Sequence, residues 1–182
     1  MKRLCIVFCV CLLACSAHAG APAPARAVPS SLYSGRWYEI ARTPNAGEHD
    51  CAAPTSDFSG FLAGAFSVIQ TCHTAKGGVH VIRSKAQLLA GSQNTRFRMS
   101  FLGGLVHQEY WILDTAPDGA WAIMATPGGH YVWLLARQPA LPPAERAAAF
   151  ARISALGYAT DRLTLAGTPP AGDYTVDKRK PN

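Results

Sequence analysis

Cysteine and histidine are the residue types in this sequence that could bind a metal or act as nucleophile and base. Beyond the N-terminal segment there are two cysteines, Cys51 and Cys72. The histidines in the same part of the chain are His49, His73, His80, His107 and His130. They form neither an i, i+4 pair nor a His-x-His motif, and no Ser-His-Asp or Cys-His arrangement can be identified. The sequence therefore predicts no metal site, no cofactor and no catalytic residue.

Cys51 and Cys72 stand about twenty residues apart. In an oxidising compartment, two such cysteines most simply form one disulfide, which stabilises the fold by about 3 kcal/mol on the chain-entropy model. A metal pair and a free nucleophilic thiol are the alternatives. We predict the disulfide, because the spacing supports neither of the others.

The N-terminus indicates export to such a compartment. Met1-Lys2-Arg3 precedes an apolar run, Leu4 to Leu13, which is typical of a secretory signal and too short to span a membrane. Cleavage after Ala19, in the small-x-small sequence Ala17-His18-Ala19, predicts a signal peptide of residues 1–19 and a soluble periplasmic or secreted product. Alternatively, Leu12 to Cys15 matches a bacterial lipobox, in which residues 1–14 are removed and a lipidated Cys15 anchors the protein to the outer membrane.

Composition favours one β-rich domain. The chain has 182 residues, with 16 Gly, 13 Pro and a charged fraction of 15%. The formal net charge of +6 is scattered along the sequence, which excludes the basic stripe that binding to nucleic acid requires. Residues 20–34 are rich in Ala and Pro, which predicts an extended linker. The composition of residues 167–182 predicts a flexible tail.

Eight strand-like runs are separated by short turns. They are Gly35 to Arg42, Thr55 to Gly60, Phe66 to Cys72, Val79 to Leu89, Thr95 to Leu102, Val106 to Asp114, Ala120 to Ala125 and Tyr131 to Arg137. Short turns make neighbours pair antiparallel, and eight such strands can close into a barrel that holds one small ligand. A β-sandwich is the alternative, but the crossover connections that it needs are not indicated.

Three further segments complete the expected barrel. Residues 43–54 predict a loop at the open end, and this loop contains Cys51. One helix, about residues 143–156, begins at Pro142-Pro143 and ends before Gly157. Its apolar stripe predicts packing against the outside of the barrel. A short strand at Leu163 to Leu165 could then add beside the first strand.

The run Gly35-Arg36-Trp37-Tyr38-Glu39-Ile40-Ala41-Arg42 resembles the first motif of the lipocalins, specifically of their bacterial, outer-membrane lipoprotein-like branch. Tyr131 to Pro139 resembles the third motif, in which an arginine ends the last strand. The resemblance implies an all-β fold, an eight-stranded antiparallel up-and-down barrel over residues 35–166 with one helix outside. It also implies that Trp37 lies at the closed floor and that Arg137 stacks on its indole, a contact worth about 0.5 to 2 kcal/mol.

Strand alternation predicts which side chains face the barrel interior. The predicted ligand-binding residues are Glu39, Ala41, Val68, Ala86, Leu88, Phe97, Met99, Phe101, Tyr110, Tyr131, Trp133 and Leu135. A lining this rich in Phe, Met, Trp, Leu and Tyr favours an apolar chain or ring. The alternative is that these side chains simply fill the core of the barrel.

Glu39 is the exception in this apolar set. An ionised carboxylate inside a barrel is costly unless it is paired, so we expect it to bond to Tyr110 or Arg83, or to keep its proton. Because it would repel the carboxylate of a fatty acid, we interpret it as a structural residue.

The resemblance implies a non-enzymatic protein that binds, transports or stores a hydrophobic small molecule of the fatty acid or lysophospholipid class in the bacterial cell envelope. One alternative is a lipid-modifying enzyme, which would need a free Cys72 or an acidic pair in the cavity. The other is a secreted protease inhibitor that uses the loop of residues 43–54. The sequence leaves the identity of the ligand and the oligomeric state open.

Overall fold

The computed structural model describes residues 20–168. The predicted signal peptide, Cys15 and all but the first two residues of the predicted tail lie outside this range. The strands are β1 (Gly35–Arg42), β2 (Cys51–Leu62), β3 (Ala65–Thr74), β4 (Val79–Leu88), β5 (Arg96–Phe101), β6 (Val106–Thr115), β7 (Trp121–Ala125), β8 (Val132–Ala136) and β9 (Thr164–Leu165). The helix α1 spans Pro143–Ala155, and short 3-10 turns span Ser30–Tyr33, Ala46–Glu48, Leu102–Gly104 and Thr160–Arg162.

Strands β1 to β8 form a closed antiparallel barrel. Each strand pairs with the next, and β8 pairs with β1 to complete the circle. The short β9 adds to β1 at Ala41 and Arg42, as the sequence predicts. This confirms the eight-stranded antiparallel barrel, and the β-sandwich alternative is wrong. A closed barrel is favoured because it leaves no long unpaired edge.

The helix packs on the outside of the barrel, as predicted. Pro143 occupies its first turn, where a missing N–H costs nothing, and Glu145 lies where the helix dipole favours a negative charge. Its buried face presents Ala149 and Ile153 to a cluster that includes Leu134 of β8. This cluster lies on the outer side of the sheet, so it stabilises the barrel wall without occupying the barrel interior.

The floor of the barrel is closed by Arg137 and Trp37. The Arg137 guanidinium lies 3.7 Å from the centroid of the indole ring, which confirms the predicted contact. Its Nη atoms also donate to the carbonyl oxygens of Ser34, at 2.6 Å, and of Leu32, at 3.2 Å. The indole Nε1 of Trp37 donates to the same Leu32 carbonyl at 3.0 Å. One arginine therefore ties the first strand, the last strand and the segment before β1 together.

The segment of residues 20–34 is not the free linker that its composition predicts. Its backbone N–H groups donate to the barrel, from Ala21 to Pro127 and from Ala25 to Leu113, each at 2.8 Å. Tyr33 is fully buried, and its ring packs 4.8 Å from that of Phe66. The correction has a physical reason: Val28, Leu32 and Tyr33 pack in the core at the floor and plug the barrel, while backbone hydrogen bonds hold the earlier residues along the outside of the wall.

Strand β2 begins at Cys51, four residues before the predicted start at Thr55. Cys51 is therefore the first residue of a strand and not part of the predicted loop. The pairing of β2 with β1 covers only Thr55 to Phe58, so above Thr55 the two strands diverge. Pro54 lies in the diverging part, where a strand tolerates a residue without an N–H.

We expect Arg137→Ala to lower the free energy of unfolding by about 2 to 3 kcal/mol, because it removes the cation–π contact and leaves floor carbonyls without a donor. Arg137→Lys should recover part of the loss, since lysine keeps the charge but lacks the planar fork. Urea denaturation followed by tryptophan fluorescence measures both. Arg98→Ala, at an exposed position of β5, is the control and should change stability by less than about 0.5 kcal/mol. Equal midpoints for Arg137→Ala and wild type would contradict this account of the floor.

Candidate functional site

A cavity of about 660 Å³ occupies the open half of the barrel, above the packed floor. Ligand pockets commonly measure about 300 to 1,000 Å³, so this one could hold a small amphiphile. Its apolar walls come from neighbouring strands: Val81 and Ile82 of β4, Phe101 of β5, Tyr110 of β6, Met124 of β7, and Trp133 and Leu135 of β8. The 3-10 turn Ala46–Glu48 contributes to its mouth.

The predicted ligand-binding residues divide into two groups by height in the barrel. Five of them line the cavity: Glu39, Phe101, Tyr110, Trp133 and Leu135. The others that face inward pack in the core cluster around Trp37 and Tyr33: Val68, Ala86, Leu88, Phe97 and Met99. Alternation along a strand tells which face a residue occupies, but not how far up the barrel the packing stops. The core-filling alternative therefore describes the lower half of this barrel.

Ala41 is placed outside the cavity, which corrects the prediction. Glu39 pairs with Leu135, yet Ala41 pairs with Leu134, so β1 holds one extra residue between them. Such a bulge breaks the alternation of faces. Ala41 consequently packs in the outer cluster under α1, and Arg42 is turned toward Glu39.

Tyr131 lies at the rim, 39% exposed, just before β8 begins. Its ring centroid is 6.1 Å from that of Trp133, so it flanks the cavity mouth.

Glu39 is paired with Arg42, not with Tyr110 or Arg83 as predicted. Arg42 Nη1 donates to Glu39 Oε1 at 2.5 Å, and both side chains are buried. The second nitrogen of the guanidinium, Nη2, donates to the carbonyl oxygens of Glu48 at 2.7 Å and Cys51 at 2.9 Å. Arg42 thus satisfies the first carbonyl of β2 at the point where β1 and β2 diverge. The sequence hides this pairing, because regular alternation places the two residues on opposite faces.

The loop between β1 and β2 is held over the mouth of the cavity. Glu48 Oε2 accepts hydrogen bonds from Asn45 Nδ2 at 2.6 Å and from Trp133 Nε1 at 3.2 Å. The disulfide joins Cys51, at the end of the loop, to Cys72 of β3, which confirms the predicted bond. Both cysteines belong to the cavity wall. The loop is therefore fastened by a covalent bond on one side and by a hydrogen bond to β8 on the other.

Sequence analysis missed several polar residues that line the cavity. Glu48 and Asp50 come from the loop, Thr55 from β2, Gln70 from β3 and His80 from β4. Their spacing carries no motif, since they enter the site from one loop and three different strands. The signal that could have identified the first two is their position in the loop expected at the open end.

Burial and neighbouring charge shift two pKa values in the cavity. Desolvation, and then the negative charge of Glu48, raise the pKa of Glu39 from 4.5 to about 7, although Arg42 acts in the opposite direction. Desolvation, and then the charge of Glu48, raise the pKa of the Tyr110 hydroxyl to about 12. The field of Glu48 therefore extends into the interior of the barrel.

Metal sites and membrane-spanning helices are two further features that bear on function. Within residues 20–168, no three His, Cys, Asp or Glu side chains are grouped so that they could hold a metal ion. Among the helices described for the same residues, none combines the length and the apolar character needed to cross a membrane.

A closed eight-stranded antiparallel barrel, with an arginine stacked on the floor tryptophan, a cavity at the open end and one helix outside, defines the lipocalin class of proteins. Comparison with known families agrees: the model described as a lipocalin-like domain matches residues 28–167. The chain belongs to the lipocalin-like family.

Similar proteins include a bacterial one. The outer membrane lipoprotein Blc of Vibrio cholerae is 25% identical over 142 residues, which are 76% of this chain and 82% of Blc. Together with the family match, this supports the predicted bacterial lipocalin.

Solved structures share the fold at low sequence identity. Insecticyanin from the tobacco hornworm Manduca sexta superposes with a TM-score of 0.66 at 16% identity, covering 81% of this chain and 85% of its own. Lobster apocrustacyanin A1 superposes with a TM-score of 0.62 at 15% identity, covering 77% and 79%. At these identities the likeness shows the barrel fold alone.

Glu39 should make stability depend on pH in a specific window. Its pKa is higher in the folded than in the unfolded protein, so its contribution is present below about pH 4.5 and is lost as pH rises to about 7. Glu39→Gln cannot titrate. We therefore expect its melting temperature, relative to wild type, to rise between these pH values and then to level off.

Thermal unfolding at several pH values measures this difference. Glu109→Gln, on β6, serves as the control for removing a carboxylate that does not line the cavity. A constant difference between Glu39→Gln and wild type across the window would show that the pKa of Glu39 is not raised.

Proposed function

We propose that this protein binds and carries a hydrophobic small molecule, a single-chain lipid of the fatty acid or lysophospholipid class, without transforming it. The observation that supports the proposal is the cavity of about 660 Å³, with apolar and aromatic walls, a sealed floor and a polar mouth. Each methylene removed from water contributes about 0.8 kcal/mol, so a long acyl chain supplies enough free energy to offset the cost of ordering the complex.

Membership of the lipocalin-like family supports a binding role, because proteins of this family typically bind hydrophobic small molecules. The enzymatic alternative would need a free thiol at Cys72 or an acidic pair in the cavity, and the Cys72 sulfur is bonded to Cys51. Acidic residues do line the cavity, but Glu39 and Glu48 are both paired with Arg42, which favours binding over acid–base chemistry. The proposal is therefore burial of the ligand and its release, with the cavity residues acting as walls and hydrogen-bonding groups.

Trp133 offers a direct test, because it lines the cavity and its ring lies 5.9 Å from that of Tyr110. We expect the wild-type protein to bind a neutral environment-sensitive dye, and single-chain lipids to displace it. Trp133→Ala should weaken lipid binding by about tenfold, because it removes a large apolar contact area. Displacement titrations measure both effects.

Trp111→Ala is the matched control. Trp111 lies on the outer surface of the barrel, where Arg96 stacks on its ring at 4.0 Å. The substitution should therefore leave lipid binding unchanged. If no single-chain lipid displaces the dye from the wild-type protein, the carrier function is wrong.

We propose further that the protein is exported and acts in the cell envelope. The charged and apolar N-terminus supports this, and the similar Blc of Vibrio cholerae is named an outer membrane lipoprotein. Two forms follow from the sequence: a soluble one cleaved after Ala19, and one anchored through a lipidated Cys15.

Intact-mass measurement of the exported protein distinguishes the two forms. Cleavage after Ala19 gives an unmodified chain that begins at Gly20, whereas lipidation adds a large discrete mass to a chain that begins at Cys15. Cys15→Ser should abolish membrane association only in the second case. A full-length chain retained in the cytoplasm would contradict export.

A further inference from the structure

The charges around the cavity are unfavourable for a fatty-acid carboxylate. Three carboxylates line the cavity, those of Glu39, Glu48 and Asp50, and none of its lining residues in the described part of the chain is lysine or arginine. We propose that the preferred ligand is an amphiphile whose apolar body carries a positively charged amine or quaternary ammonium group. This inference rests on the proposed carrier function and narrows its ligand, because it disfavours the fatty acid among the two lipid classes proposed above.

The acidic lining is local, because the chain as a whole is basic. Residues 20–168 hold 12 Lys and Arg against 9 Asp and Glu, a formal net charge of +3. A random sample of this surface would therefore contain more cations than anions. The carboxylates come from β1 and from the loop over the mouth, so the fold concentrates negative charge at the cavity inside the barrel.

Arg42 does not cancel this charge. It forms ion pairs with two of the acids, with Glu39 at 2.5 Å and through Nε with Glu48 at 3.8 Å, and it also donates to the carbonyl oxygens of Glu48 and Cys51. The arginine is only 3% exposed and does not belong to the cavity lining. One arginine offsets one of the three acidic charges, and Asp50 lies 3.8 Å from the imidazole of His80 and not beside an arginine. The lining therefore keeps a net negative charge, and a ligand in the cavity contacts the acids and not the guanidinium.

Glu39 lies at the base of the cavity with an oxygen available to a ligand. It occupies the inward position next above Trp37 on β1, and it is 95% buried, with an exposed fraction of 5%. The bond from Arg42 goes to Oε1, and Oε2 receives no hydrogen bond from the described residues. A buried carboxylate oxygen in this state favours a ligand that brings a positive charge or a donor.

Aromatic rings next to these acids complete a site suited to an ammonium group. Tyr110 and Trp133 meet at an interplanar angle of 67°, and Trp133 Nε1 donates to the Glu48 carboxylate. The faces of such rings attract amine and quaternary ammonium groups, and their apolar surfaces accept the adjoining alkyl chain. The raised pKa of Tyr110, to which the charge of Glu48 contributes, agrees with a negative field at this place.

The experiment compares three amphiphiles with the same alkyl chain and different heads. Dodecyltrimethylammonium, dodecanol and dodecanoate are tested as competitors of a neutral dye on the full-length mature protein, each below its micelle concentration or solubility limit. The pH is kept at about 8 or above, where Glu39 is largely ionised. We expect the ammonium compound to bind at least about tenfold more tightly than dodecanoate, and the affinity of dodecanol to lie between the two. Added salt should weaken the binding of the ammonium compound and strengthen the binding of dodecanoate, because it screens the charges of the cavity.

The double variant Glu48→Gln/Asp50→Asn removes two of the charges and keeps the shapes of the side chains. It should lower the preference for ammonium over carboxylate by about tenfold, measured as the ratio of the two affinities in the same variant. Glu109→Gln is the matched control, because Glu109 also accepts a hydrogen bond from an indole, that of Trp111, but it does not line the cavity. The control should keep the wild-type preference.

The possible outcomes separate this inference from the carrier function. If dodecanol displaces the dye but dodecanoate binds as well as the ammonium compound, the inference is overturned and the carrier function stands. If none of the three displaces the dye, both are overturned. If the double variant does not fold, the salt dependence of the wild-type protein decides: equal affinities at low and high salt would overturn the inference.

Discussion

The contact between Arg137 and Trp37 is the interaction on which the rest of this molecule depends. It joins the last strand to the first at the end where the barrel must be sealed, and the same guanidinium holds the carbonyls of the segment before β1. Tyr33 and the phenylalanines around it then fill the space above this seal. A cavity that opens at one end only can retain an apolar ligand, because the closed end excludes water from the floor.

A second constraint operates at the opposite end, where β1 and β2 diverge. The bulge at Ile40 turns Arg42 toward Glu39, and Arg42 then fills the gap between the two strands with hydrogen bonds to loop and strand carbonyls. A buried ion pair contributes little net stability by itself, since desolvation offsets much of the attraction. Here the ion pair between Arg42 and Glu39 serves to position the loop that brings Glu48 and Asp50 to the cavity mouth.

The two halves of the barrel therefore have different physical roles. The lower half is a packed aromatic core, which supplies hydrophobic stability and a rigid base. The upper half contains a cavity instead of a closely packed core. It is stabilised by the disulfide between Cys51 and Cys72 and by the hydrogen bond that Trp133 donates to Glu48. This division explains how a small domain can enclose a ligand and remain folded. It also places the negative charges where they meet the ligand and not the core.

The sequence by itself determined the closed barrel, its external helix, the contact between Trp37 and Arg137 and the pairing of Cys51 with Cys72. These follow from local alternation, turn residues, cysteine count and two family motifs. Only the tertiary structure decided that Val28 to Tyr33 seal the floor, that Ala41 faces outward, and that the cavity stops above Val68, Phe97 and Met99. The reason is physical: strand alternation specifies a face, but a bulge can reverse it. The height at which packing gives way to open space depends on side chains contributed by every strand at once.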